Sequence, residues 1–207
     1  MADQVFPTKG NLINTKKSLD LAMLGFELLD RKRNVIVREM MALIDRAGVL
    51  QSQIDSCYAQ AYLALQRANV AHGICADIAA AVPVENGLRL TSRSVMGVDI
   101  PIVSLESSPL ELSYGFMFTS SLVDEAYIQF DRVKKLTAEL AEVENSVYRL
   151  ATAVNKTQKR ANALKNIIIP RLTSTVKFIS DSLEEKERED FSRLKVIKAQ
   201  KARRAQA

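Results

Sequence analysis

Residues 19–50 decide the fold of this chain, and they read LDLAMLGFELLDRKRNVIVREMMALIDRAGVL. Apolar residues recur in this stretch at alternating spacings of three and four, which is the seven-residue repeat of a coiled-coil helix. The same repeat extends outward in both directions, from Leu12 to Val82, and only Thr15 and Arg33 among its seam positions are polar. A globular helix of ordinary length has no reason to keep such a seam for so long.

The ends of this first helix also carry signals. Thr8 follows Pro7 and is a plausible N-cap, because its hydroxyl can accept a hydrogen bond from a backbone N–H of the first turn. Pro83 disfavours a helical conformation in the residue before it. The sequence therefore predicts a first coiled-coil helix over residues 9–82.

A second seam begins near residue 119 and predicts a second coiled-coil helix over residues 119–200. Past Leu164 its spacing changes to steps of four, and Pro170 lies inside this change. A proline inside a helix removes one backbone hydrogen bond and bends the helix. We therefore expect a kink near Pro170, with two separate helices as the alternative interpretation. The regular part of the seam is Ala126, Gln129, Val133, Leu136, Leu140, Val143, Val147, Leu150, Val154, Thr157, Ala161 and Leu164.

The intervening residues 83–118 have a different pattern. β-branched residues alternate with polar ones around Met96-Gly97, which is typical of a short β-hairpin. An isolated hairpin is marginal in water, so it should pack on the helices or on a partner. Two helices of similar length joined by a compact linker run antiparallel. The predicted fold class is all-α, a long antiparallel two-helix coiled coil with a short β-hairpin segment between the helices, forming one elongated domain over residues 1–207 with a basic tail at 201–207.

Arg33 is the charged residue within the first seam. A single charge at a seam position can specify the register of a coiled coil at some loss of stability, and we hypothesise this role for Arg33 near the Ile167–Arg171 segment. The alternative is an arginine whose charged end reaches the solvent beside the kink.

Composition excludes several classes of protein. The 207 residues are 47% hydrophobic and 26% charged, with a net charge of +5, which fits neither a disordered nor a disulfide-rich chain. Only two cysteines are present, and we expect both Cys57 and Cys75 to be reduced. No apolar run approaches the roughly 18 residues of a membrane span, and the start lacks the apolar core of a signal peptide. We expect a soluble, cytoplasmic protein.

Known catalytic motifs are absent from the sequence. It contains no glycine-rich phosphate-binding loop, no H-E-x-x-H and no C-x-x-C. The single histidine, His72, has no second ligand type nearby and is better explained as a packed or surface residue. We therefore predict no catalytic residue, no cofactor and no metal site.

Two segments suggest binding surfaces. The chain from Arg193 onward is basic and lacks acidic residues, so it can bind an acidic protein surface or nucleic acid, or it is simply solvated. The stretch from residue 59 to 81 is rich in alanine, and small seam residues bury little apolar area. We expect a companion protein to dock on this stretch, with close approach of the two helices as the alternative. The alanines concerned are Ala61, Ala64, Ala68 and Ala71.

Motifs at both ends resemble the D subunit of the V-type (V/A-type) rotary ATPases, the central rotor shaft. The amino-terminal match is Pro7-Thr8, Leu12, Lys16, Leu19, Ala22, Gly25, Leu28-Leu29 and Lys32-Arg33. The carboxy-terminal match is Asn162-Ala163-Leu164, Ile169-Pro170-Arg171-Leu172, Leu183 to Glu189, Arg193-Leu194-Lys195 and Lys198. Asn34 and Lys165 depart from the family pattern, which usually has Asp and Glu at these positions.

The resemblance implies a non-catalytic shaft that transmits rotation between the ATP-hydrolysing or ATP-synthesising hexamer and the ion-translocating ring of the membrane. The implied partners are the catalytic and non-catalytic nucleotide-binding subunits, a small companion known as the F subunit, and a membrane-side coupling subunit. The chain itself would be peripheral to the membrane, without inserting into it, and would bind no nucleic acid. A coiled-coil adaptor or nucleic-acid tether that uses the basic tail is the alternative function.

Residues at both helix ends are the candidates for contact with the hexamer. Basic side chains there can make transient contacts with acidic linings, each contributing little if exposed. The candidate residues are Lys9, Lys16, Lys17, Arg38, Lys195, Lys198, Lys201, Arg203 and Arg204.

Overall fold

The computed structural model describes residues 6–106, 113–115, 117 and 119–205, with side chains described as far as Lys201. The described elements are helices α1 (Lys9–His72) and α2 (Ala76–Ala80), strands β1 (Leu88–Val95) and β2 (Val98–Leu105), and helices α3 (Ser121–Ala163) and α4 (Ile169–Ala205), with a π-helical segment, Leu164–Ile168, between α3 and α4. The predicted fold class is confirmed: long helices with a two-stranded antiparallel hairpin between them.

The predicted helix boundaries differ from the structure in two places. The first long helix ends at His72 rather than at residue 82, and the short helix α2 occupies part of the remainder. The second helical region continues through Ala205 and so includes most of the predicted tail. Parts of the predicted linker, residues 107–112, 116 and 118, lie outside the described residues.

Gly73 explains why α1 ends early. Its φ of +80° lies in the left-handed region, and its N–H donates to the Asn69 carbonyl at 2.9 Å. A glycine in this conformation just past the last helical residue is a common helix terminator. The apolar repeat continues beyond Gly73 and therefore did not reveal the break. At the other end of α1, the predicted cap is confirmed, since Asn11 N–H donates to Thr8 Oγ1 at 3.2 Å.

Contacts divide the chain into two compact units, and the single elongated domain stays a prediction. One unit combines the chain up to Arg33 with the chain from Lys156 onward, and the other spans Asn34–Asn155. We call them the terminal unit and the middle unit.

In the terminal unit, α1 pairs with the π-helical segment and α4 in antiparallel fashion. Lys9 Nζ lies 2.9 Å from Glu187 Oε1, and a methyl group placed on Gly25 would meet Leu164 Cδ1 at 3.9 Å. Residue numbers thus rise along one helix as they fall along the other. The ammonium group of Lys165, one of the departures from the family pattern, lies 5.8 Å from the centre of the Phe26 ring.

Arg33 lies in the terminal unit, where its guanidinium donates to Gln158 Oε1 at 2.8 Å and pairs with Asp30 at 2.8 Å. Asp30 of the same helix thus balances its charge, and Gln158 of α3 accepts a hydrogen bond from it. Its proposed role in setting the register stays a prediction.

The π-helical segment lies where the sequence predicted an irregularity. The N–H of Ile169 donates to the Leu164 carbonyl, five residues back, directly before Pro170. Proline has no N–H and its ring crowds the carbonyl four residues earlier, so widening the preceding turn accommodates it. Helical backbone continues across Pro170, and that it bends there stays a prediction.

The middle unit contains the hairpin, which packs on α1 and α3. Its turn is Met96-Gly97, with φ values of 50° and 72°, as in the type I′ turns that fit the twist of paired strands. Ile100 of β2 is buried together with Ile36 of α1 and Leu150 of α3. Both the hairpin and its packing on the helices are as expected from the sequence.

Replacement of Gly73 tests the termination of α1. Gly73→Ala should lower the free energy of unfolding by about 1 kcal/mol, because alanine is strained at positive φ although no neighbour lies within 4 Å. Gly48→Ala is the matched control inside α1, also with open space around it, and should raise stability by up to about 1 kcal/mol. Urea unfolding followed by circular dichroism measures both, and equal effects of the two substitutions would contradict this explanation.

Candidate interaction surfaces

The end of α4 extends beyond the start of its partner helix. α1 begins at Lys9, which pairs with Glu187, whereas α4 continues to Ala205. Every described side chain from Glu184 to Lys201 is exposed. This end of α4 is a helix without a covering helix among the described residues.

Apolar and basic side chains share one side of this helix end. At roughly 100° per residue, six residues fall within about half of the circumference, and Val196 falls on the opposite half. Phe191, Leu194 and Ile197 are 60%, 63% and 48% exposed, which is unusual for apolar side chains so close together on one helix face. We call this set the α4-end surface: Phe191, Leu194, Lys195, Ile197, Lys198 and Lys201.

The sequence analysis predicted the basic residues of this surface but not the apolar ones. Lys195, Lys198 and Lys201 were predicted as contacts, and the structure places their side chains in solvent. The side chains of Arg203 and Arg204 lie outside the described residues. The apolar members were missed because the segment from Arg193 onward was considered only for its charge. The apolar spacing of Phe191, Leu194 and Ile197 was the signal available.

The remaining predicted hexamer contacts lie on α1. Lys9, Lys16 and Lys17 are exposed in the terminal unit, and Arg38 is exposed in the middle unit. Lys9 is the member engaged in an ion pair, with Glu187. A second apolar row that the sequence analysis did not single out, Leu21, Leu24 and Leu28, is 57–69% exposed on the same helix.

The alanine seam corrects one prediction. Ala61, Ala64 and Ala68 are 0%, 3% and 1% exposed, so packing within the middle unit already covers them. Ala68 contacts Tyr114 and Val123, which is the close approach that small residues permit. These three alanines therefore cannot contact a companion protein in this conformation. Ala71 is exposed and is the remaining candidate of the four.

A cavity of about 830 Å³ lies in the middle unit, beside the alanine seam. Its walls include Leu65, Val82, Val123 and Phe130, and the Tyr114 hydroxyl donates to Asp124 Oδ1 at 2.5 Å near by. Burial, followed by this hydrogen bond, raises the pKa of Tyr114. The phenol is therefore neutral and acts as a hydrogen-bond donor.

Lys134 ties the segment before β1 to α3 at the edge of this cavity. Its ammonium lies 2.9 Å from Glu85 Oε2 and 2.9 Å from Asp131 Oδ1, and Lys135 also binds Asp131 at 2.7 Å. The Glu85 carboxylate accepts a further hydrogen bond from Gly87 N–H. This cluster fixes the start of the hairpin.

The same contacts shift the pKa values of the cluster. Burial raises the pKa of Asp131, but the hydrogen bonds from Lys135 and Lys134 outweigh it, and the net pKa is lowered. Hydrogen bonds from Lys134 and then from Gly87 lower the pKa of Glu85. Hydrogen bonds to Glu85 and Asp131 raise the pKa of Lys134. All three groups are thus held in their charged forms.

Within the described part of the chain, no group of three or more His, Cys, Asp or Glu side chains is arranged to hold a metal ion. In the same residues, no helix is both long and apolar enough to cross a membrane.

These features define a protein built on an antiparallel coiled coil with a β-hairpin. The model of the family described as the D subunit of ATP synthase matches residues 11–199. The D subunit of the V-type ATP synthase of Thermotoga neapolitana is 44% identical over 96% of this chain and 99% of its own length. The D subunits of the A-type ATP synthases of Thermococcus kodakarensis and Pyrococcus furiosus are 40% and 39% identical, over 94% and 95% of this chain and 94% of each relative. The chain belongs to the family of ATP synthase D subunits, as its motifs indicated.

Acid unfolding tests the Lys134 cluster. A carboxyl whose folded pKa is lowered stabilises the fold above its unfolded pKa, about 3.9 for Asp, and this contribution is lost as the pH falls through the folded value. Asp131→Asn should therefore flatten the decline of unfolding free energy with pH below about 4. The measurement is urea unfolding at a series of pH values.

Asp45→Asn is the control for this series, since Asp45 is exposed on α1. The decline of unfolding free energy with pH should be steeper in this variant than in Asp131→Asn. If Asp131→Asn and Asp45→Asn gave the same slope, the cluster would make no pH-dependent contribution.

Proposed function

We propose that this chain is the central stalk of a V/A-type rotary ATPase. In this role it transmits rotation between ATP hydrolysis or synthesis in the catalytic hexamer and ion translocation in the membrane ring. Family membership supports the assignment to the complex. The observation that carries the transmission role is the α4-end surface, a helix end whose apolar side chains stay exposed among the described residues.

The α4-end surface suits insertion between the catalytic and non-catalytic nucleotide-binding subunits. Each large apolar side chain transferred from water into a protein contact contributes about 1.5–3 kcal/mol. Exposed lysines contribute far less each, so Lys195, Lys198 and Lys201 mainly speed and orient association with an acidic lining. Lys9, Lys16 and Lys17 on α1, at the same unit, extend this basic surface. Arg38 and the arginines at positions 203 and 204 complete the proposed set.

Paired helices suit transmission of torque. In each unit, the long helices are packed through buried seam residues, such as Ile179 in the terminal unit and Leu150 in the middle unit. Resistance to twisting follows from this packing, because rotating one helix requires the other to move with it.

The proposal also assigns binding regions to two other partners, the F subunit and the membrane-side coupling subunit. The small companion F subunit would bind the exposed side of α1 around Ala71, where Val70 is 88% exposed. A membrane-side coupling subunit would receive rotation from the middle unit. In this complex the chain is a non-catalytic component, cytoplasmic and peripheral to the membrane, and ATP is bound by the hexamer.

Serine substitutions in the α4-end surface test the proposal. Leu194→Ser with Ile197→Ser should weaken binding to the hexamer of nucleotide-binding subunits at least tenfold, which corresponds to about 1.4 kcal/mol. Val196→Ser is the matched control, since Val196 is 57% exposed but lies on the opposite half of the helix, and it should change the affinity less than about twofold. Biolayer interferometry with the reconstituted hexamer measures both.

Equal loss in the two variants, or no loss in either, would contradict a specific contact through this surface. The tether alternative makes a different prediction. DNA binding through the basic residues would be steeply salt-dependent and insensitive to Leu194→Ser with Ile197→Ser. Such a result, together with no binding to the hexamer, would replace the stalk proposal by the tether.

A further inference from the structure

The two edges of the hairpin differ in their hydrogen bonding. α3 binds backbone groups along the edge of β2 that faces away from β1. The bonds are Val103 N–H to Glu142 Oε2 at 2.7 Å, Arg149 Nη1 to the Asp99 carbonyl at 3.0 Å and Ser146 Oγ to the Pro101 carbonyl at 3.5 Å. Three outward backbone groups of this edge are therefore bonded within the middle unit.

The opposite edge belongs to β1. Leu90, Ser92 and Ser94 stand directly across from Val103, Pro101 and Asp99 in the antiparallel register. In such a ladder, residues that face each other without exchanging hydrogen bonds direct their backbone groups to opposite outer edges. The N–H and C=O groups of Leu90, Ser92 and Ser94 thus point away from β2, and no described residue binds them.

This edge is long and open. All residues of β1 except Val95 are exposed. A strand edge with a row of unpaired donors and acceptors is a template for another strand, and proteins usually cover or interrupt such an edge. β1 contains no proline and no bulge interrupts its pairing with β2, so neither device blocks its edge.

The charged residues of β1 indicate which kind of strand can pair with its open edge. Arg89 and Arg93 lie on one face of β1, which has no acidic residue. A second copy of β1 would bring these arginines close to each other, and like charges across paired strands are destabilising. Arg89 already pairs with Glu106 at 2.9 Å, whereas Arg93 has no ion-pair partner among the described residues. An acidic side chain on the added strand would supply one.

The other face of β1 is apolar at the start of the strand. Leu88 and Leu90 are 48% and 68% exposed and alternate with the arginines along the strand. A strand with acidic residues on one face and apolar residues on the other therefore complements β1 on both sides.

We infer that β1 accepts an extended, acidic strand from another polypeptide, which adds a third strand to the hairpin through the outward backbone groups of Leu90, Ser92 and Ser94. The inference stands on the hairpin geometry and does not rest on the proposed rotary function. Any polypeptide in the assembly that contains this chain in the cell can supply the strand.

Hydrogen–deuterium exchange tests the inference in the native assembly. The tagged chain is isolated from its own cells together with its bound proteins, and exchange of β1 is compared with that of the isolated chain at residue resolution. The outward amides of Leu90, Ser92 and Ser94 should exchange at least about tenfold more slowly in the assembly. Equal exchange in the two samples would overturn the inference.

Ser92→Pro then distinguishes a bound strand from simple covering. Proline removes the outward N–H of residue 92 without removing a hydrogen bond to β2. Ser92→Ala is the matched control, since it keeps the N–H and loses only the hydroxyl. We expect Ser92→Pro to restore fast exchange at Leu90 and Ser94 in the assembly, and Ser92→Ala to keep it slow.

Two further observations complete the test. The inward amides of Thr91 and Arg93 should exchange equally in both variants as isolated chains, which shows that the hairpin remains folded. The charge reversal Arg93→Glu should speed exchange of the outward β1 amides in the assembly by at least about threefold, because a glutamate repels an acidic strand. Slow exchange that persists in Ser92→Pro with a folded hairpin would mean that side chains cover the edge, and the inference would be wrong.

Discussion

The pairing of the apolar seam of α1 with the seams of the returning helices is the constraint on which the rest of the structure depends. In the middle unit it buries Ile36 and Leu150 together, and Ile100 of the hairpin joins them. In the terminal unit it sets the antiparallel register, seen in the Lys9–Glu187 pair. The hairpin is stable only because this paired surface is available to it, since two strands alone are marginal in water.

The same pairing determines which surfaces stay open for other molecules. Where both helices are present, the seam is covered, and small residues such as Ala61 and Ala64 let the helices approach closely. Beyond the start of α1, α4 keeps apolar side chains in solvent. On the hairpin, α3 binds the edge of β2, and no described residue pairs with the edge of β1. The open end of α4 thus follows from the unequal lengths of α1 and α4, and the open edge of β1 from the position of α3 on the other side of the hairpin.

Much of the fold could be predicted because its signals are local and periodic. The seven-residue repeat located Ile36 and Leu150 in the seam, and Met96-Gly97 located the turn. The end of α1 was missed because a single backbone conformation at Gly73 overrides a repeat that continues past it. The apolar members of the α4-end surface were missed because the segment from Arg193 onward was considered only for its charge. Whether an apolar residue there is covered also depends on where the partner helix starts, which periodicity does not encode.

The proposed function requires this chain to turn inside the hexamer. The most direct measurement attaches a bead to the hairpin through Thr91→Cys, with Cys57→Ser and Cys75→Ser to remove the native thiols, and immobilises the hexamer on a surface. On addition of ATP, the account predicts continuous rotation of the bead in one direction, at a rate that follows ATP turnover. ATP turnover accompanied only by random motion of the bead would contradict the account.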